Sequence, residues 1–163
     1  MLPLHPFLPP RPKLVVHVTI RPLVPADLPA VFGIERESFA VPWTEEDFRR
    51  ELRLAIGLAA DVELGGKALG GYVIFKRRPS GLWISNLAVD PRWRRIGVAG
   101  DLVQRLAAER VDGRGRIAAH VGERNLSAQL FLRARGFRAV RVVRSCYAPG
   151  EDAYRFAWVP AAP

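Results

Sequence analysis

The sequence predicts one α/β domain built on a mixed β-sheet of about seven strands flanked by about four helices, and three observations carry that expectation. Its 163 residues, 49% of them apolar, are enough for one compact domain and short for two. Segments with strand-type alternation and segments with helix-type spacing interleave along the chain, with no internal repeat and no linker beyond residue 14. The single cysteine, Cys146, rules out an internal disulfide framework and suits a reducing, cytoplasmic setting.

The elements follow in order. Alternation around Val15 to Ile20 reads as a first strand. The stretch PADLPAVFGIERESF reads as a helix with Leu28, Val31, Phe32 and Ile34 on its apolar stripe. In PWTEEDFRRELR, Thr44 is the N-cap of a second helix, with Glu45, Glu46 and Asp47 in the first turn, where the helix dipole favours acids. From Ile56 to Asp90, runs of strand formers are divided by Gly65-Gly66 and by Pro79-Ser80-Gly81, which predicts an antiparallel meander of three strands. A helix from about Gly97 to Arg110 buries Ala99, Leu102, Val103, Leu106 and Ala107. A strand RIAAHV follows, then a helix from about Asn125 to Arg135 ended by Gly136 and Phe137. In that helix, Leu126, Leu130, Phe131 and Ala134 define the expected core face, which puts Leu132 on the opposite side. Two strands, FRAVRVV and DAYRFAWV, close the chain on either side of an expected loop, SCYAPGEDA.

The start, MLPLHPFLPPRPK, is broken by five prolines and has no continuous apolar stretch, which argues against a signal peptide and a membrane helix. Residues 1–14 read as a proline-rich arm and residues 15–163 as the domain. The net charge of +9 admits an anionic ligand or acidic partner, but the arginines are scattered and no nucleic-acid-binding motif is present, so direct nucleic-acid binding is not expected.

The stretch NLAVDPRWRRIGVAGDLV, Asn86 to Val103, runs from a strand straight into a helix through two arginines and two glycines. The first unpaired amides of such a helix point at one spot, and its dipole makes that spot attractive to phosphate. Gly97 and Gly100 allow close backbone approach, Ala99 is small, and Arg94 and Arg95 add charge. Turn chemistry alone also explains the glycines. The lysine and hydroxyl residue of a Walker loop are missing, and the glycine spacing is not that of a dinucleotide fingerprint.

This stretch resembles the acyl-CoA-binding motif of the GNAT superfamily of N-acyltransferases, with Arg94, Gly97 and Ala99 at the motif positions. SFAVPWTEEDF, ERNLSAQLFLRARGF and GEDAYRFAW extend the likeness to its bacterial ribosomal-protein N-alpha-acetyltransferase (RimI) group. The resemblance implies a GNAT fold whose sheet splits between its fourth and fifth strands to admit the pantetheine arm of acetyl-CoA, with a β-bulge near Asn86 and no metal. Main-chain groups of Leu87, Ala88 and Val89 would meet the pantetheine and polarise the thioester carbonyl. Amides of Arg95, Ile96, Gly97, Val98, Ala99 and Gly100 would hold the pyrophosphate. Asn125 would reach the pantetheine or cap its own helix.

The resemblance also exposes departures. His120 stands at the family's glutamate position, Leu132 at its tyrosine position, and Gly122 where an arginine often follows. His120 suits a general base, since an unperturbed pKa of about 6.5 lies near working pH; the alternative is a structural strand-end histidine. Glu123 is a second candidate, through water. Tyr147, Cys146 or water would protonate the thiolate, and Leu132, facing the thioester, cannot. Phe39, Pro42 and Trp43 would wall the acceptor site together with Tyr147, while Trp43 also reads as a staple for the helix after it. The expected acceptor is a protein or peptide N-terminus, in a monomer or homodimer; a CoA-binding pseudoenzyme and a small-molecule amine acetyltransferase remain alternatives.

Overall fold

A computed structural model of the chain describes residues 15–110, 115–148 and 150–158; the proline-rich arm lies outside them. The strands are β1 (His17–Pro22), β2 (Ile56–Glu63), β3 (Lys67–Arg78), β4 (Gly81–Val89), β5 (Arg116–Gly122), β6 (Arg138–Ala148) and β7 (Glu151–Trp158). The helices are α1 (Leu28–Ser38), α2 (Glu45–Leu52), α3 (Val98–Ala108) and α4 (Leu126–Ala134), with 3₁₀ turns at Pro25–Asp27 and Pro91–Trp93. The strands form one sheet in the order β1-β2-β3-β4-β5-β7-β6. Neighbours run antiparallel except β4 and β5, which are parallel.

Local chemistry sets the boundaries. The Thr44 hydroxyl accepts from the Asp47 amide at 3.2 Å, and the Asp47 carboxylate accepts from the Thr44 amide at 2.9 Å, so two orphan donors at the start of α2 are satisfied reciprocally. Trp43 packs edge-on against Phe48, ring centroids 5.2 Å apart, as a hydrophobic staple does. Gly136 takes a positive φ of 85° and ends α4, while the Gly136 amide donates to Arg133 O and the Phe137 amide to Leu132 O. The expected loop SCYAPGEDA is mostly strand: β6 runs on through Cys146 and Tyr147 to Ala148, past an irregularity between Val143 and Ala148, and Ser145 has a φ of 47°.

Both faces of the sheet are covered on its β1–β4 side. Val73 and Phe75 of β3 point into the larger core with Leu102 and Leu106 of α3, while Tyr72 and Ile74 point the other way, to Val31 and Ile34 of α1 and Phe48 of α2. The face expected for α4 is corrected. Leu126 and Leu130 are 61% and 55% exposed, whereas Leu132 is 4% exposed and lies in the larger core, flanked by Ala128 and Phe131. The C-cap explains the rotation: the motif ending α4 joins Phe137 to Leu132, and both side chains enter the same core.

Candidate active site

The site begins where β4 and β5 part. They pair from Gly81 with Arg116 to Ile84 with Ala119, and no further. At the same level β4 carries a bulge: Phe75 faces Ile84 and Ile74 faces Asn86, leaving Ser85 as the extra residue. A bulge bends its strand and re-phases its side chains. Before it, Leu82 and Ile84 enter the larger core; after it, Leu87 and Val89 pack there and Ala88 faces α1. The free edge of β4 beyond Ile84 therefore presents Leu87, Ala88 and Val89 to the opening, and His120 is the first β5 residue past the last pair.

His120 stands at the vertex. Ile117, Ala119 and Val121 belong to the larger core, so Arg116, Ala118, His120 and Gly122 share the opposite, α1 face. The half-buried imidazole lies edge-on to Trp83, with ring centroids 4.6 Å apart, and its Nδ1 is 3.5 Å from Cys146 Sγ. Burial first, then the Arg155 and Arg141 guanidinium groups, hold its pKa below the ordinary 6.5, which favours the neutral ring. The Tyr147 hydroxyl donates to His120 O at 3.0 Å, and burial, with Cys146 and Glu151 nearby, pushes its pKa up to about 12. Burial also raises the Cys146 thiol.

Glu123 is exposed and committed to β7: its carboxylate accepts from the Asp152 amide at 3.3 Å, and its own amide donates to Asp152 O at 2.9 Å. Glu151 was not anticipated. A Cβ at Gly122 would lie 3.2 Å from its Oε1 and 3.6 Å from the Tyr147 ring, so the bare glycine leaves room for a carboxylate and a phenol above His120.

The α3 N-terminus has the form of an anion site. Gly97, its N-cap, has a φ of 101°, Arg95 before it has a φ of 67°, and no side chain caps the helix. Open space surrounds Gly97, Arg95 and Ile96 are exposed, and the amides of Val98, Ala99 and Gly100 begin the helix. Arg94 turns elsewhere, donating from Nε to Val89 O at 3.0 Å and from Nη2 to Ser38 Oγ at 3.2 Å. A second residue the sequence did not single out lies nearby: the Arg135 guanidinium sits where a Cβ on Gly100 would collide with it, beside the first turn of α3. Its place at the end of α4 gives no sequence signal for this. The Asn125 side chain accepts from the Ala128 amide at 3.1 Å and so caps α4.

Phe39, Pro42 and Trp43 are half-buried in the α1–α2 connection, where Phe39 and Trp43 pack on the α1-side core that includes Ala88. Their anchor is Glu35, which is 1% exposed. Its Oε1 accepts from the Trp43 amide at 2.8 Å, and its Oε2 accepts from Asn86 Nδ2 at 3.1 Å and from the Tyr72 hydroxyl. One carboxyl group thus ties the α1–α2 connection to the β4 bulge. Burial, with Glu35 alongside, drives the Tyr72 pKa far above its ordinary value.

Among the described residues no cluster of histidine, cysteine or carboxylate side chains has the makings of a metal site, and no helix is long and apolar enough to cross a membrane. Residues 28–137 match the Acetyltransferase (GNAT) family. The ribosomal protein bS18-alanine N-acetyltransferase of Salmonella typhimurium is 30% identical over 134 residues, covering 79% of this chain and 86% of that protein. The crystal structure of the Escherichia coli bS18-alanine N-acetyltransferase superposes with a TM-score of 0.76 at 25% identity, over 90% of this chain and 97% of the other. Arabidopsis thaliana NAA60 in complex with acetyl-CoA shares the fold, with a TM-score of 0.74 at 22% identity over 88% and 100% of the two chains. With a bulged β4 parted from β5 and an uncapped glycine-led helix beside the opening, the chain belongs to the GNAT acetyltransferase family.

Proposed function

We propose that the protein moves the acetyl group of acetyl-CoA to the N-terminal α-amine of a protein, a ribosomal protein being the first candidate. The observation that carries this reading is the imidazole of His120, held at the vertex of the β4/β5 split in its neutral form. The similarity to bS18-alanine N-acetyltransferases supports the choice of acceptor.

The residues present fit acetyl-CoA. The amides from Arg95 to Gly100 and the Arg135 guanidinium would hold the pyrophosphate, and the free edge at Leu87, Ala88 and Val89 would meet the pantetheine amides. Asn125, already a helix cap, and Leu132, mostly within the core, would contribute at most an edge to the arm. When bound, acetyl-CoA supplies the activated thioester carbonyl.

The acceptor ammonium would sit under the Glu151 carboxylate and the Tyr147 ring, against Phe39, Pro42 and Trp43. His120 takes one proton from the ammonium, the amine nitrogen bonds to the acetyl carbon, the carbon–sulfur bond breaks, and the second proton that nitrogen gives up passes into water. Water returns a proton to the thiolate. Tyr147 is poorly suited to that step, because its proton is engaged by His120 O. In this reading Tyr147 and Cys146 position the imidazole.

Intact-mass detection of acetyl transfer to peptides with either a free N-terminus or only a lysine amine tests the proposal. Transfer confined to the N-termini is expected. No transfer with acetyl-CoA bound would favour a CoA-binding regulator, and transfer confined to small amines would favour the small-molecule reading.

A further inference from the structure

A second concavity lies beside the residues that pack on His120. Trp83, whose ring meets the imidazole, also lines a cleft of about 410 Å³ with Arg78, Ser80, Arg116, Ala118 and Arg155. Ala118 and Arg116 follow His120 along the same face of β5, Arg116 about 13 Å away at about 3.3 Å per residue. Arg155 is the cross-strand partner of His120, and its guanidinium lies 5.5 Å from the centroid of the Trp83 ring. None of Arg78, Arg116 and Arg155 forms an ion pair among the described residues. Arg78 feels the Glu51 carboxylate only at longer range, and three cations around one concavity repel one another, so an anion placed among them relieves that repulsion.

We propose that this cleft is an acidic-residue subsite for the acceptor polypeptide, and the proposal rests on the transferase reading above. With the acceptor amine at His120 and the chain extended along β5, side chains about three to five residues from the acceptor N-terminus reach Arg155, Arg116 and Arg78. Their carboxylates bind the guanidinium groups, giving charge-assisted hydrogen bonds that select acidic sequences. The cleft fits a polypeptide better than a nucleic acid. Single-stranded nucleic acid needs a long cationic track with several aromatic platforms, whereas here there is one indole, and Arg155 already lies over it.

The test uses the full chain and C-terminally fluorescein-labelled hexapeptides whose N-termini are blocked by acetylation, so that binding is read by anisotropy without any transfer. A peptide with aspartates at positions three to five is expected to bind more tightly than its asparagine counterpart and to weaken as salt is raised. Arg116→Ser is expected to weaken it about threefold, and Arg78→Ser with Arg116→Ser about tenfold, while affinity for CoA stays unchanged. With unblocked peptides the same double variant raises KM for the acidic acceptor and leaves kcat alone. Equal binding of the two blocked peptides, or an unchanged affinity in the double variant, overturns the subsite; so does tighter binding of a single-stranded RNA hexamer that is lost in the double variant. Binding of the blocked acidic peptide without transfer to any free N-terminus supports the subsite and counts against the transferase reading alone.

Discussion

Replacing Glu35 tests whether one buried carboxyl group holds the α1–α2 connection against the sheet. Glu35→Ala leaves three donors without their acceptor: the part-buried Trp43 amide and the buried Asn86 amide group and Tyr72 hydroxyl. Each orphaned donor costs about 1–3 kcal/mol, and water entering the vacated space offsets part of that. The expected loss is therefore about 3–5 kcal/mol, a large share of the 5–15 kcal/mol that stabilises a typical domain. Glu35→Gln keeps the volume and one carbonyl acceptor but turns an amide donor toward the Asn86 and Tyr72 donors. Because the Tyr72 hydroxyl can rotate and accept, the expected loss is only about 1–2 kcal/mol. Urea unfolding followed by tryptophan fluorescence measures both. In the alanine variant, which also frees the Trp43 amide beside the proposed acceptor site, KM for the acceptor peptide should rise more than in the glutamine variant, which keeps an acceptor for that amide. Losses below about 1 kcal/mol in both variants would refute the argument.

Other outcomes follow from the same geometry. Since burial and the Arg155 and Arg141 charges disfavour protonation of His120, its base form persists below the ordinary pKa, so the acid limb of kcat/KM should lie below pH 6.5. Arg155→Gln should move that limb upward, and a limb that stays put would separate Arg155 from the imidazole. Leu132→Ala should cost about 2–5 kcal/mol in urea unfolding, against about 0.5 kcal/mol or less for Leu126→Ala and Leu130→Ala; the reverse order would restore the face expected from the sequence. Gly97→Glu should weaken CoA binding at least about tenfold by calorimetry, because a carboxylate would replace an open, positive helix terminus and the residue would be strained at a φ of 101°.

The order of the elements was legible because period and punctuation agree locally: Thr44 and Asp47 cap α2, and the glycines at 65, 66 and 81 mark the hairpins. The α3 N-terminus was legible for the same reason, since its chemistry is written in consecutive residues. The face of α4 was misread because Leu126, Leu130 and Ala134 form a helical stripe that stays exposed. The better signal was already present, as Gly136 at the cap fixes Leu132 as the partner of Phe137. The rest of the site depends on distance along the chain. Glu35 meets partners 8, 37 and 51 residues away, and Cys146 meets His120 across 26, separations that periodicity does not report. Arg135 and Glu151 likewise reach the opening only once the sheet has brought α4 and the β6–β7 hairpin beside it.

In the proposed reaction, His120 at the vertex of the split takes the proton from the acceptor amine. The most direct test of that step is the single-turnover rate of acetyl transfer to an N-terminal peptide by His120→Ala, with acetyl-CoA saturating and its affinity measured in the same variant. A fall of about 100-fold or more is expected, with affinity for acetyl-CoA nearly intact. An unchanged rate would contradict it.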